Sequence, residues 1–156
     1  MNDMTNNDME KITVNTEVLI VGGSAAGLKA AAGIAACGYK VCLIESNSGI
    51  DIQKKELLTG LGEQDIAGLK ELEKEVLSNS RIEILTDTNL VGVNGVPGDF
   101  NLKLENKDGI IGKKTGAIVI ATGFTIKPLN DKYQLSLSDN IITQSSLEEM
   151  RAAGDQ

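Results

Sequence analysis

Residues 18–45 read VLIVGGSAAGLKAAAGIAACGYKVCLIE, and no other stretch limits the fold of this chain as tightly. Four apolar residues run into Gly22, Gly23, Ser24, Ala25, Ala26 and Gly27; an alanine-rich segment then reaches Gly38, and a second apolar run ends at Glu45. A strand, a tight turn, a helix and a second strand account for that order. The turn is where a nucleotide pyrophosphate would sit, because the first N–H groups of a helix lack intrahelical acceptors and the helix dipole adds positive potential there. Large side chains would block that approach, and these six positions hold nothing larger than serine.

A glycine pattern of this kind is weak by itself, so its neighbours decide. Gly22 suits the tight turn, Gly27 lets the helix pack closely on the strand, and Gly38 falls just past the helix end. Glu45 lies 23 residues after Gly22, at the end of the second strand. A carboxylate there accepts hydrogen bonds from ribose hydroxyls and disfavours a 2′-phosphate. Ser24 stands where a second glycine is expected, and its hydroxyl either crowds the pyrophosphate or donates to it. A strand–helix–strand unit with no ligand is the alternative reading of the same residues.

Composition removes several function classes. The chain has 156 residues, enough for one domain with a sizeable core, and a net charge of −7 that would repel nucleic acid. It has no histidine, which excludes imidazole acid/base catalysis and imidazole metal ligation. Cys37 and Cys42, five residues apart, suit neither a C-x-x-C pair nor a metal cluster and are expected as buried free thiols. The N-terminus has neither a basic nor an apolar leader pattern, and no run approaches the ~20 apolar residues of a membrane span. The expectation is a soluble, cytoplasmic protein without membrane insertion.

Along the chain, residues 1–15 are expected as a mobile polar tail and residues 46–62 as a loop with a short helical piece. Residues 63–79 carry Ile66, Leu69, Leu72, Val76 and Leu77 at helical spacing, and residues 81–86 read as a third parallel strand. Three short runs, 90–96, 100–105 and 110–114, are separated by Pro97-Gly98-Asp99 and by Asn106-Lys107-Asp108-Gly109, which predicts an antiparallel meander. The unbroken apolar run 117–121 reads as a central strand covered on both faces and leads into Ala121-Thr122-Gly123. The fold class is therefore α/β, a Rossmann-like doubly wound parallel sheet with a three-stranded antiparallel β-meander. Residues 16–126 are expected to form the dinucleotide-binding domain and 127–156 an extension toward a second domain.

Three stretches, VLIVGGSAAGLKAAAGIAACGYKVCLIE, SRIEILTDTNLVGVNGVPGDFNLKLE and AIVIATGF, together with DNIITQSSLEEM, resemble the FAD-binding domain of the two-dinucleotide-domain flavoproteins, the thioredoxin and glutathione reductase kind. Within that group the chain is most similar to the A-subunit family of heterodisulfide reductases. The resemblance implies FAD as cofactor. It implies a pyrophosphate loop of Gly22, Gly23, Ser24, Ala25, Ala26 and Gly27, with Glu45 and Ser46 facing the adenosine ribose. The backbone of Leu90 would meet the adenine edge, and Ala121, Thr122 and Gly123 would flank the cofactor further along. No residue is implied as catalytic or as a metal ligand.

The departures carry equal information. In the family a Gly-Gly pair and iron-sulfur cysteines commonly follow the acidic strand; here Ser48-Gly49-Ile50-Asp51 stands at that place and no cysteine follows Cys42. No cluster is expected. The family chain continues into an NAD(P)H-type domain and returns with a second FAD segment, so a chain ending at Gln156 is expected to hold half a flavin site. The resulting expectation is an FAD-binding electron-transfer subunit inside a larger redox complex, not catalytic alone, with another chain completing the flavin site. The alternatives are a non-catalytic nucleotide-binding or scaffold subunit with a degenerate flavoprotein fold, and an excised domain.

Overall fold

The computed structural model describes residues 13–50, 63–123, 129–138, 140–144, 146–147 and 150. The chain runs β1 (Val18–Val21), α1 (Ala25–Ala36), β2 (Val41–Ile44), α2 (Glu63–Ser78) and β3 (Ile82–Leu85). It continues through β4 (Asn89–Val96), β5 (Asp99–Asn106), β6 (Gly109–Thr115), β7 (Ala117–Ile120) and a short α3 (Leu129–Tyr133). Strands β3, β2, β1 and β7 form a parallel sheet in that order, and β4, β5 and β6 form the antiparallel meander.

Side chains alternate across a strand, so the two faces of the sheet take different residues and different covers. One face carries Ile20, Val41, Leu43 and Ile82, packed under Leu28, Ala31, Ala32 and Ala35 of α1 and Val76 of α2. The small side chains of α1 let it lie close to the sheet, and Ile20, Leu28 and Leu43 have no exposed surface. The opposite face carries Leu19, Cys42 and Ile44 under Leu102 and Leu104 of β5. A helix layer, a sheet and a meander layer thus share the work of burial. β2 is buried along its whole length because it is covered on both faces and flanked on both sides.

The strand register places the functional edge. Val21 pairs with Ile44 and with Ile120, and Ile44 pairs with Leu85, so all four strands end level. Gly22, Glu45 and Ala121, the next residues in each case, emerge at one edge.

Three expectations need correction. β7 is an edge strand among the described residues, and its Ile120 is 65% exposed, so the central, doubly covered position belongs to β2 instead. An unbroken apolar run such as 117–121 carries no alternation from which its neighbours can be read. Asn15, expected in a mobile tail, is held: its N–H donates to the Gly98 carbonyl at 2.8 Å and its side chain accepts from the Glu17 N–H. Cys37 is exposed at the C-terminus of α1, whereas Cys42 is buried as expected. Residues 1–12, and residues 51–62 of the loop with a short helical piece expected over 46–62, lie outside the described residues.

The two thiols should separate cleanly. Burial pushes the Cys42 thiol up to about 11, with the nearby Lys113 charge as the strongest opposing influence. Cys42 is therefore a protonated, inaccessible thiol at neutral pH. A thiol reagent added to the native protein should modify one cysteine, Cys37, and reach the second only in denaturant. Two equally fast reactions would contradict the buried assignment.

Lys113 of β6 ties the meander to the sheet through Glu17, at 2.9 Å, and Glu83 of β3. Burial alone would lower its pKa, but the hydrogen bonds to Glu83 and Glu17 outweigh it and the net shift is upward. Cys42 and Lys113 both hold their protons to higher pH in the folded chain than in the unfolded one. The unfolded chain then binds fewer protons at alkaline pH, so stability falls as pH rises from the ordinary thiol range towards and beyond about 11. Urea midpoints measured across that range should drop, and the drop should be shallower in Cys42→Ala. A flat or rising profile would contradict the linkage.

Candidate functional site

The turn after β1 is shaped by contacts that leave no room for side chains. Gly22 has a φ of +110° and donates its N–H to the Ile44 carbonyl at 2.8 Å. A Cβ at Gly22 would overlap the carbonyl of Ala121. Gly27, in the first turn of α1, lies directly on the Gly22 carbonyl, so a Cβ there would overlap that oxygen. The two glycines let β1, α1 and the end of β7 converge on one point.

Ser24 is the N-cap of α1, with extended φ and ψ of −71° and 170°. Its Oγ accepts weakly from the Gly27 N–H at 3.4 Å and donates to the Ala121 carbonyl at 3.1 Å. Serine is among the preferred caps because its oxygen satisfies an otherwise orphaned helix donor. The departure from glycine thus serves the protein itself, tying the turn to the end of β7.

Glu45 is the polar centre of the site. It is 5% exposed, and its two oxygens are held from different directions. Oε2 accepts from the Gly23 N–H at 2.7 Å. Oε1 accepts from the Asn47 N–H at 2.9 Å, from Asn47 Nδ2 at 2.8 Å and from Ser46 Oγ at 3.2 Å. A Cβ at Gly23 would stand 3.1 Å from Glu45 Oε2 and from Ile50 Cγ1, tight enough to press on the carboxylate. The segment after Glu45 is also fixed by its backbone: Thr88 N–H donates to the Glu45 carbonyl and Asp87 N–H to the Asn47 carbonyl, both at 2.9 Å.

These groups border a cavity of about 590 Å³ at the carboxyl edge of the sheet. That is within the size range of small-molecule and cofactor sites, at the place where open α/β sheets bind ligands. Of the residues expected at the site, Gly22, Gly23, Ser24, Glu45, Ser46, Ala121, Thr122 and Gly123 line it. Ala25, Ala26 and Gly27 lie behind the rim in the first turn of α1, and Leu90 packs against the core beneath the meander. Sequence reading missed Val21, Ile44, Asn47, Thr88 and Asn89, which complete the lining among the described residues. Asn47 follows the acidic strand end by two residues, a signal available in advance; Thr88 and Asn89 arrive only through the pairing of β3 with β2.

Among the described residues the lining contains no lysine or arginine, so an anion here must be met by backbone N–H groups and the positive end of α1. The glycine turn, the buried carboxylate and the cavity volume together leave room for a nucleotide-sized ligand at this edge of the sheet. Elsewhere, Glu17, Cys42 and Glu83 bring ligand-type atoms within 4.8 Å of one another. Lys113 already bridges those two carboxylates, which makes the group an ion-paired cluster. Among the described residues no helix is long and apolar enough to cross a membrane.

Comparison with known proteins adds family context. The model of the family described as pyridine nucleotide-disulphide oxidoreductase matches residues 16–153. A heterodisulfide reductase A-subunit-like protein of Archaeoglobus profundus is 35% identical over 98 residues, covering 62% of this chain and 14% of that protein. The L-proline dehydrogenase of P. horikoshii superposes with a TM-score of 0.55 at 26% identity, over 72% of this chain and 23% of that one. The thioredoxin reductase of Streptococcus pyogenes shares the fold, with a TM-score of 0.53 at 18% identity over 70% of this chain and 32% of that one. The chain therefore spans only a small part of the length of the relatives it matches.

Proposed function

The chain belongs to the pyridine nucleotide-disulphide oxidoreductase family, and from that premise we propose that it is the FAD-holding, electron-transfer part of a larger redox assembly. The observation that carries this reading is Glu45: a buried carboxylate fixed beside a glycine turn, at the start of α1, inside a cavity at the strand ends. In this reading the pyrophosphate lies along Gly22 to Gly27, where the close glycine contacts keep side chains away. The ribose meets Glu45 and Ser46, and the adenine edge lies toward the start of β4, with the Leu90 backbone behind Asn89. Ala121, Thr122 and Gly123 flank the cofactor on the β7 side.

Bound FAD supplies reversible electron transfer. The residues of this chain bind and orient it. Glu45 selects a ribose with free hydroxyls, because a 2′-phosphate would bring its negative charge against a carboxylate in a cavity whose described lining carries no cation. Among the described residues the lining holds no histidine, cysteine or lysine, so proton and electron relay from the flavin falls to other groups. Similarity to a protein named as a heterodisulfide reductase A-subunit-like protein supports other redox subunits as the partners. Residues 16–126 are the cofactor domain in this reading, residues 127–156 an extension from it, and the setting is the cytoplasm.

The purified chain with added FAD should show bound-flavin absorbance but no sustained oxidation of NAD(P)H with a dye acceptor. Turnover on the order of 1 s⁻¹ or more from the chain and FAD alone would remove the need for other subunits. Failure to take up flavin would favour a scaffold with a degenerate site.

A further inference from the structure

Resting on that reading of the cavity as a nucleotide site, we propose that the Asn89 side-chain amide reads the edge of the base and makes the site selective for adenine nucleotides. The polar side chains around the cavity divide into those already engaged with the protein and those open to a ligand. Ser24 donates to the Ala121 carbonyl, Ser46 Oγ and the Asn47 amide nitrogen donate to Glu45, and Thr88 Oγ1 donates to the Thr86 carbonyl at 2.7 Å. Glu45 accepts from four donors. Among the described lining residues, the Asn89 amide and the Thr122 hydroxyl make no hydrogen bond to the protein.

Topology separates the two. The turn after β1 is the anion end of the cavity, β2 lies beside it, and the bend after β3 leads into Asn89, the first residue of β4. At a strand spacing of about 4.8 Å, two steps across the sheet put that bend about 10 Å from the turn, which leaves room for a sugar between phosphate and base. Thr122 follows β7, one strand from the turn on its other side, and its single oxygen does not span a donor and an acceptor set side by side. The bend itself is fixed. Asp87, with a φ of 49°, donates its N–H to the Asn47 carbonyl, Thr88 donates its N–H to the Glu45 carbonyl, and Asn89 pairs with Glu105 of β5. Leu90 packs against the core, so its neighbour Asn89 faces the other way, onto the cavity. A primary amide sets a carbonyl acceptor beside an NH2 donor, and adenine sets its amino donor beside a ring-nitrogen acceptor, so the two meet through a pair of hydrogen bonds. Among the described residues no lysine or arginine lines the cavity, and this end suits an uncharged base better than a further phosphate.

The test measures affinity by calorimetry for ADP and for purine riboside 5′-diphosphate, the same nucleotide without the adenine amino group. The parent should prefer ADP roughly tenfold, the scale of a paired contact to a base edge. Asn89→Ala should lose most of that preference, chiefly by weakening ADP. Circular dichroism confirms that the variant is folded, and Asn89→Leu, which keeps the bulk and removes both polar atoms, should show the same loss if Asn89→Ala does not fold. Equal affinity of the parent for the two nucleotides, or a preference that survives in the variants, would overturn the role of Asn89 while leaving the nucleotide site intact. Equal weakening of both nucleotides in the variants would overturn it as well, since a general loosening of the bend does not distinguish them. Absence of binding of either nucleotide by the parent would instead overturn the reading on which the role rests.

Discussion

Gly27→Ala should destabilise the domain by roughly 3 kcal/mol, while Gly33→Ala, six residues along the same helix, should stabilise it by up to about 1 kcal/mol. Both changes exchange glycine for the best helix former, so propensity favours each equally. The surroundings differ. A Cβ at Gly27 would overlap the Gly22 carbonyl oxygen and reach the Ala121 side chain at van der Waals contact, 3.4 Å, whereas a Cβ at Gly33 would meet nothing within 4 Å. Relief at Gly27 requires α1 to lift from the turn, which would also open the cavity between Ser24 and Ala121. Against a typical total stability of about 5–15 kcal/mol, a loss of that size is visible in urea midpoints. Equal effects of the two substitutions would mean that α1 does not sit on the turn as described.

Glu45→Ala should weaken ADP and FAD binding by about 1.5 to 3 kcal/mol, roughly tenfold to a hundredfold. The carboxylate accepts from Gly23 N–H, Ser46 Oγ and both nitrogens of Asn47, so its removal takes away the ribose acceptor and leaves those donors without their partner. A second signature separates recognition from general loosening. Nucleotides carrying a 2′-phosphate should lose less than their unphosphorylated counterparts, because the repulsive charge leaves with the side chain. Parent-like affinity in Glu45→Ala would reduce the carboxylate to a structural clamp for residues 23 and 47.

Much of this arrangement is legible in the chain because two periodicities coincide with unambiguous turn chemistry. The run from Val18 to Glu45 reads correctly since a strand, a helix start and a strand end each have a local cause: a short apolar run, an N-cap and a positive φ at Gly22. The meander reads equally well, because Gly98 and Gly109 mark its two turns and both have positive φ. What does not follow from local chemistry is adjacency. The edge position of β7 depends on which strands pair with it, and an unbroken run of apolar residues carries no record of that. Thr88 and Asn89 join the cavity only because β3 pairs with β2 in a register that carries the next connection to Glu45. Leu90 illustrates the same limit from the other side: its place at the head of β4 is readable, but its packing against the cluster of Leu102 and Leu104 depends on the meander folding onto the sheet.

Ser24 shows how an apparent exception is absorbed. Read alone, its hydroxyl is either an obstruction or a ligand donor. In the fold it caps α1 and reaches the Ala121 carbonyl, joining the two sides of the cavity. The cost of placing a side chain at this point of the turn is offset by a tie that glycine could not make.

The central claim, that the cavity at the strand ends holds FAD by its ADP half, is tested most directly by competition. FAD is titrated into the purified chain, its fluorescence followed, and ADP and FMN are then added as competitors. The account predicts saturable one-to-one binding of FAD that ADP displaces and FMN, which lacks the adenosine phosphate moiety, does not. Displacement by FMN with no effect of ADP would place the recognition on the flavin ring and contradict the assignment of Glu45 and the Gly22 turn.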